Sequence, residues 1–196
     1  MLAGSEKTSG APAAPDVSDS PLGSASLLVV MGVSGCGKSQ LGAAIAVALG
    51  LPLIEGDEFH SEANRSRMST GQPLTDADRA HWLDQLGQQL QQHPGGAVLT
   101  CSSLKRAYRD RLRAGAPGLR FAWMDISRAD AEVRVMQRQS HFFPPGLVGS
   151  QFDALEPPLN EPGVLRLDAL LATPALVCQL QGWMGHVGPS VQLAEN

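Results

Sequence analysis

The chain has 196 residues, 43% of them hydrophobic and 17% charged, which suits one globular domain with a substantial buried core. Its net charge of -4 and isoelectric point of about 5.7 argue against a nucleic-acid-binding protein with a broad basic face. No apolar run approaches the ~20 residues that cross a bilayer, and the three cysteines have no metal-type or disulfide spacing. We therefore expect a cytoplasmic protein without a membrane or nucleic-acid partner.

Two terminal segments differ in composition from the rest of the chain. Residues 1–26 are rich in Ala, Gly, Ser and Pro and contain almost no large apolar side chains. Such a segment cannot bury enough surface to offset its ordering entropy, and it lacks the charged start and apolar centre of a signal peptide. We predict a disordered extension over 1–26, a folded domain over 27–185 and a flexible tail over 186–196.

Between these segments, short apolar runs alternate with stretches of helical periodicity. Residues 27–31 form an apolar run that ends at a Gly-rich turn, which predicts a buried strand. In chain order, strands are predicted at 27–31, 51–54, 97–101, 119–124 and 164–167. Helices are predicted at 39–49, at 58–69, from Asp76 as the cap through Leu90, around Tyr108 and Leu112, at 129–139 and at 174–184. This alternation predicts an α/β fold, in which a five-stranded parallel sheet carries helices on both faces and ligands bind beyond the carboxyl ends of the strands.

A glycine-rich segment follows the first predicted strand directly. It matches the pattern G-x-x-x-x-G-K-[ST] in full and consists of Gly32, Val33, Ser34, Gly35, Cys36, Gly37, Lys38 and Ser39. Glycines let such a loop, a P-loop, curl so that its N–H groups surround phosphate oxygens, and the following helix dipole adds to the attraction. The motif predicts an ATP site in which Lys38 reaches the β- and γ-phosphates and the Ser39 hydroxyl binds Mg²⁺.

Polar residues follow the second and third predicted strands, where a phosphoryl acceptor would lie beside the P-loop. Asp57 can orient a hydroxyl, accept its proton or help to hold Mg²⁺, and a helix N-cap is the alternative. His60 fits a ligand contact about as well as a surface histidine, and Arg65 fits a polar acceptor site or a solvated face. Lys105 and Arg109 are four residues apart, so both can share one helical face after the third strand.

A predicted lid follows the fourth strand. Arg134 and Arg138 are four residues apart on the helix before a Pro/Gly/Phe-rich loop at 140–149. In phosphoryl transfer, charge spreads over the transferring oxygens, and mobile arginines on a closing loop stabilise this charge while the loop excludes water. We predict a small lid at about 134–150, with two exposed surface arginines as the alternative. The turn at 168–174, after the last strand, is predicted to flank the adenine.

These motifs together resemble the gluconokinases, the short P-loop kinases related to shikimate and nucleoside-monophosphate kinases. The resemblance covers most of 28–158 and is carried by MGVSGCGKS, EGDEFH, NRSRMSTGQPLTDADRAHWL, TCSSLKRAYRDRLR and RQSHFFPPGLVGSQFDALEPP. It implies transfer of the γ-phosphate of ATP to the 6-hydroxyl of D-gluconate by a homodimer. It also implies that Asp57 activates the acceptor hydroxyl and that Arg134 and Arg138 are lid arginines. The candidate contacts to gluconate are Asp57, His60, Arg65, Lys105 and Arg109.

Two other interpretations stay open. A related kinase that acts on shikimate or a nucleotide would keep the same P-loop, and a regulator that binds nucleotide without catalysis would need no lid. Two positions depart from the family pattern: Gln40 stands where the family often has Thr or Ala, and Cys36 stands where it often has serine. The Cys36 position supplies mainly its backbone N–H, so we expect activity to survive, with a thiol near a helix N-terminus that is open to oxidation.

Overall fold

The computed structural model describes residues 26–137 and 146–185. Its strands are β1 (Ser26–Met31), β2 (Leu53–Glu55), β3 (Gly96–Cys101), β4 (Arg120–Asp125) and β5 (Val164–Asp168). They form one sheet in the order β2-β3-β1-β4-β5, and every neighbouring pair is parallel. The predicted five-stranded parallel sheet is confirmed, with strand boundaries that differ by one or two residues.

The helices are α1 (Lys38–Leu49), α2 (Glu62–Ser69), α3 (Asp76–Gln91), α4 (Arg106–Gly115), α5 (Arg128–Gln137), α6 (Gly146–Ala154) and α7 (Thr173–Gly185). A 3₁₀ helix, Gly56–Phe59, comes between β2 and α2. The single helix predicted at 58–69 is therefore two elements, because His60 is extended and the Ser61 hydroxyl starts α2 by accepting the N–H of Asn64. Within the described ranges, no helix is long and apolar enough to span a bilayer.

Alternating side chains of β1 enter two separate hydrophobic cores. Leu28 and Val30 belong to the core that α1 and α7 cover, whereas Val29 and Met31 belong to the core that α3 and α4 cover. This division follows from the two-residue period of a strand, whose neighbouring side chains point to opposite faces. Burial on both faces explains why the strand is apolar throughout, and it confirms the predicted helix layer on each side.

The register of the central strands places three loops at one edge of the sheet. Met31, the last residue of β1, lies opposite Cys101, the last residue of β3, and Glu55 at the end of β2 lies opposite Thr100. The segments that follow these strands therefore leave the sheet side by side. This is the edge where a parallel α/β sheet binds its ligands.

Two details of the predicted helices are wrong. Thr75, rather than Asp76, caps α3, because its hydroxyl accepts the N–H of Asp78 while the Asp78 carboxylate accepts the N–H of Thr75. The loop predicted at 140–149 is already helical from Gly146 in α6, and its residues 140–145 lie outside the described ranges. The predicted extension and tail also lie outside them, except for Ser26, which is the first residue of β1.

Candidate active site

The P-loop, residues 32–39, connects β1 to α1, with Lys38 as the first residue of the helix. Gly35 and Gly37 have positive φ angles of 85° and 98°, so a residue with a side chain would be strained at either position. The Nζ of Lys38 donates a hydrogen bond of 3.0 Å to the carbonyl of Val33, which folds the lysine over the loop. The loop thus presents a cation and a helix N-terminus at the carboxyl end of β1.

Two cavities use different residues of the P-loop. The α5/α7 cavity, about 660 Å³, is lined by the loop residues Gly35, Cys36 and Gly37, by Arg134 of α5 and by the turn at 169–174. The α2/α3 cavity, about 390 Å³, is lined by Ser34 and Lys38 instead. The loop therefore lies between two cavities, each large enough for a small-molecule ligand.

Charged groups and an apolar patch share the wall of the α2/α3 cavity. They come from the 3₁₀ helix, from α2, α3 and α6, and from the segments that follow α2 and β3. Besides the two P-loop residues, the lining consists of Asp57, Glu58, His60, Arg65, Met68, Leu74, Arg79, Trp82, Ser102 and Gln151. Hydrogen-bond donors and acceptors around one concave space suit a polar, anionic small molecule.

Asp57 lies in the 3₁₀ helix directly after β2. Gly56 before it approaches β3 so closely that a Cβ atom would lie 2.3 Å from the Thr100 carbonyl oxygen, so only glycine fits. The indole N–H of Trp82 donates to the Gly56 carbonyl at 2.8 Å and holds the turn in place. The Asp57 side chain stays 80% exposed on this fixed backbone. The alternative of a helix N-cap is wrong, because Ser61 caps α2.

His60 is a buried part of the cavity wall and not a surface histidine. It is only 5% exposed and stacks on Trp82, with ring centroids 4.2 Å apart. Its Nε2 lies 4.0 Å from a carboxylate oxygen of Asp57, and its Nδ1 has no hydrogen-bond partner among the described residues. Burial lowers the pKa of His60 from its usual value, and Asp57 opposes this effect. Burial therefore favours the neutral form of the ring.

Glu55, at the end of β2, joins the P-loop to β3. Its carboxylate accepts hydrogen bonds from the Ser39 hydroxyl at 3.3 Å and from the Thr100 hydroxyl. Glu55 was not predicted as a site residue. Its position beside Ser39 brings a carboxylate and a hydroxyl oxygen together near the start of α1.

Comparison with known proteins decides the family. A family model described as an AAA domain matches residues 27–158. A gluconokinase of Gluconobacter oxydans is 46% identical over 71% of this chain and 80% of its own length. The thermosensitive gluconokinase of Escherichia coli is 40% identical over 71% of this chain and 77% of its own length. The chain belongs to the gluconokinase family.

A solved structure from the gluconokinase family agrees in fold. The crystal structure of a gluconokinase from Sinorhizobium meliloti superimposes with a TM-score of 0.76 at 41% sequence identity, covering 82% of this chain and 91% of that chain. The resemblance that the sequence motifs indicated is thereby confirmed. The chain is a kinase with a P-loop nucleotide site.

Lys105, a gluconokinase motif residue, is paired within the protein. Its Nζ donates to both carboxylate oxygens of Asp76 at 2.8 and 2.9 Å, and the Tyr108 hydroxyl donates to the same carboxylate. These hydrogen bonds lower the pKa of Asp76 from its usual value. The Arg79 guanidinium lies 5.7 Å from the centre of the Tyr108 ring. Lys105 does not line the α2/α3 cavity, whereas Arg79 does. The hydrogen-bonded group of Lys105, Asp76 and Tyr108 therefore supports Arg79 from outside the cavity.

Arg109, a second gluconokinase motif residue, is fully buried. Its N–H groups donate to both carboxylate oxygens of Glu161 and to the carbonyls of Ser103, Leu104 and Glu156. These bonds use all five donors of a guanidinium, so none is left for a substrate. The predicted contact between Arg109 and the acceptor does not fit this arrangement, and we assign Arg109 a structural role instead.

The predicted lid is only partly described. Arg134 lines the α5/α7 cavity, together with the turn at 169–174 that was predicted to flank adenine. Arg138 lies outside the described residues. Cys36 lines the same cavity but is fully buried, which restricts the access of oxidants to its thiol.

Seven of the residues that line the α2/α3 cavity were not predicted as site residues, among them Arg79, Trp82 and Gln151. Arg79 and Trp82 lie three residues apart on α3, a spacing that places both on one helical face, and both belong to the motif PLTDADRAHWL. That spacing within the motif could have identified both residues as lining one site. Gln151 lies in the motif RQSHFFPPGLVGSQFDALEPP, but its contact with the P-loop spans 117 residues of sequence and could not be predicted from spacing.

Proposed function

We propose that this protein is an ATP-dependent gluconokinase, which transfers the γ-phosphate of ATP to the 6-hydroxyl of D-gluconate and releases 6-phospho-D-gluconate and ADP. The observation that carries the proposal is the α2/α3 cavity, in which two carboxylates, two arginines and the P-loop lysine border the same space. Gluconate presents a carboxylate and several hydroxyls, so its site needs cations as well as hydrogen-bond acceptors. Membership of the gluconokinase family supports the same acceptor.

Asp57 is the proposed catalytic base. As the 6-hydroxyl oxygen forms its bond to the γ-phosphorus, the exposed Asp57 carboxylate accepts the hydroxyl proton. The bond between the γ-phosphorus and the β–γ bridging oxygen breaks, and that oxygen leaves with ADP. Lys38 is proposed to stabilise the charge that spreads over the phosphate oxygens. The position of both residues in the wall of one cavity supports these roles.

Mg²⁺ is the proposed metal, held by Ser39. Glu55 is a further oxygen ligand that fits, because its carboxylate is 3.3 Å from the Ser39 hydroxyl. Mg²⁺ binds oxygen and uses one or two protein ligands together with substrate phosphates. Within the described ranges, no cluster of three or more His, Cys, Asp or Glu could hold a metal. When bound, Mg²⁺ would neutralise phosphate charge.

Arg65, Arg79 and His60 are the proposed contacts to gluconate. Arg65 donates to the Glu58 carbonyl at 3.2 Å and Arg79 donates to the Leu74 carbonyl, so each guanidinium is oriented while keeping other N–H groups for a carboxylate. The ring of His60 supplies a polar edge on the same wall. Gluconate would then lie between these groups and Asp57.

The α5/α7 cavity is the proposed nucleotide site. The P-loop glycines and the turn at 169–174 border it, and Arg134 projects from α5 into its lining. We propose that Arg134 acts as a lid arginine on the phosphates, and the same role for Arg138 stays a prediction.

An acceptor panel tests the proposed function. The full-length protein is supplied with ATP and Mg²⁺ and, separately, with D-gluconate, shikimate and nucleoside monophosphates, while ADP release is followed by a coupled assay. We expect turnover with gluconate. Turnover only with another acceptor would identify a related kinase instead. ATP binding without turnover on any acceptor would favour the regulator that the P-loop alone allows.

Exchange of Asp57 for asparagine tests the proposed base. Asp57→Asn keeps the size of the side chain but cannot accept the proton, so we expect kcat to fall by about 10²–10⁴-fold. The KM for ATP should stay within a few-fold of its original value. Glu62→Gln, an exposed change on the neighbouring helix α2, serves as the control and should keep full activity. A near-normal kcat in Asp57→Asn would remove Asp57 from the catalytic role.

Location and assembly complete the proposal. The three cysteines are free, which is compatible with the reducing cytoplasm that we propose as the location. The homodimer stays a prediction that rests on the family resemblance alone.

A further inference from the structure

A side-chain amide of α6 contacts the P-loop at its acceptor side. The backbone N–H of Ser34 donates to Oε1 of Gln151 at 2.6 Å. Both residues line the α2/α3 cavity, and Ser34 is the P-loop residue next to those that line the α5/α7 cavity. Gln151 therefore lies where the two cavities come closest along the P-loop, which is the point that a transferred phosphoryl group has to pass.

Among the described residues, only the oxygen of the Gln151 side-chain amide has a hydrogen-bond partner. A backbone N–H can be accepted only by the oxygen of an amide, so this contact fixes which end of the Gln151 side chain is the nitrogen. The NH₂ group carries two donors. In the part of the chain that the structure describes, no group accepts a hydrogen bond from this nitrogen, although the side chain borders the cavity.

The position of Gln151 is fixed by contacts at the end of its helix. The N–H of Glu156, just after α6, donates to the Leu104 carbonyl at 2.9 Å, and the Glu156 carboxylate accepts the N–H of Arg106 at 2.6 Å. Buried Arg109 donates to the Glu156 carbonyl at 3.0 Å. These three bonds tie the segment after α6 to the loop after β3 and to α4, so Gln151 is held in a defined place.

We propose that Gln151 is a substrate-positioning residue, whose amide oxygen is anchored on the Ser34 N–H and whose NH₂ group donates to an oxygen of the acceptor next to the transferring phosphoryl group. The proposal rests on the proposed function for the nature of the acceptor, a polyhydroxy acid rich in oxygen acceptors. If Gln151 served only to hold the P-loop, it would need only the amide oxygen that accepts the Ser34 N–H. The NH₂ group, for which the described ranges contain no acceptor, distinguishes the two roles.

Two substitutions test whether Gln151 donates a hydrogen bond to the substrate or only accepts the Ser34 N–H and so holds the P-loop. Gln151→Glu keeps an oxygen for the Ser34 N–H but has no donor at neutral pH, and Gln151→Met keeps the length while removing both functions. Loss of a hydrogen bond to substrate is expected to raise the gluconate KM by about fivefold to tenfold in both variants. In the uncharged Gln151→Met, the KM for ATP should stay within about twofold.

Asp153→Asn is the matched control on the same helix. It removes only the exposed ion pair between Asp153 and Arg128, so we expect an unchanged gluconate KM and an unchanged melting temperature. The proposal is overturned if Gln151→Met keeps the gluconate KM, or if it raises the two KM values equally while lowering the melting temperature. If the panel finds another acceptor, the same comparison is made with the KM of that acceptor, so the two proposals fail separately.

Discussion

Replacement of Lys38 by alanine is expected to abolish phosphoryl transfer, with kcat lower by about 10³-fold or more. The Lys38 ammonium is held at the P-loop by a hydrogen bond to the Val33 carbonyl, at the border of the proposed acceptor site. The chain contains only two other lysines, Lys7 and Lys105. Lys105 is bound to both oxygens of Asp76, so it cannot replace the missing charge.

The control for this prediction is a variant that keeps the charge. Lys38→Arg retains a cation, but its wide planar group cannot take the place of a compact ammonium in a tight loop, so we expect it to lose most of its activity as well. ADP release with gluconate measures the effect, and circular dichroism with thermal melting verifies that both variants fold. A kcat within tenfold of the original in Lys38→Ala would show that the loop backbone alone supports transfer.

The fold could be predicted from the sequence because its signals are local. A buried parallel strand is apolar along its whole length, and residues 27–31 show this before the glycine motif begins. Leu41 and Ile45 recur at helical spacing, and both are buried in the core that α1 covers. The P-loop is likewise a continuous segment, so its residues and its place after β1 were readable in one stretch.

The acceptor side was harder to predict because its contacts join residues that are far apart in the chain. A spacing of four residues suggests one helical face for Lys105 and Arg109, but the partner decides what each side chain does. Lys105 pairs with Asp76 of α3, and Arg109 pairs with Glu161, 52 residues later. Periodicity contains no information about such partners. For the same reason, the contact between Gln151 and the P-loop could not be predicted.

Replacement of Arg109 by alanine is expected to lower the free energy of unfolding by about 3–5 kcal/mol, the usual cost of breaking a buried ion pair. Glu161 would lose its bidentate partner while only 8% of its side chain is exposed, and Arg113 would be its remaining cation. The carbonyls of Ser103 and Leu104 would also lose a buried donor. Each kcal/mol lowers the melting temperature by about 2–4 °C in a chain of this size.

Arg111→Ala is the matched control on the same helix. Arg111 also pairs with a carboxylate, Asp84, but both side chains are 46% exposed. Exposed pairs contribute about 0–1 kcal/mol, so the melting temperature should hardly change. Differential scanning calorimetry of the two variants compares a buried with an exposed arginine at nearly the same place. An equal decrease in melting temperature in both variants would show that the burial of Arg109 does not increase its contribution to stability.

The dependence on pH separates the charge of Glu161 from the rest of the Arg109 effect. The hydrogen bond from Arg109 is the main cause that lowers the pKa of Glu161 from its usual value in the folded protein. The resulting stabilisation is present above the carboxyl's unfolded-state pKa and is lost as pH falls through the lower folded-state pKa. The difference in melting temperature between the original protein and Arg109→Ala should therefore shrink from neutral to acid pH. A constant difference would mean that the unpaired carbonyls and lost packing, and not the carboxylate charge, account for the destabilisation.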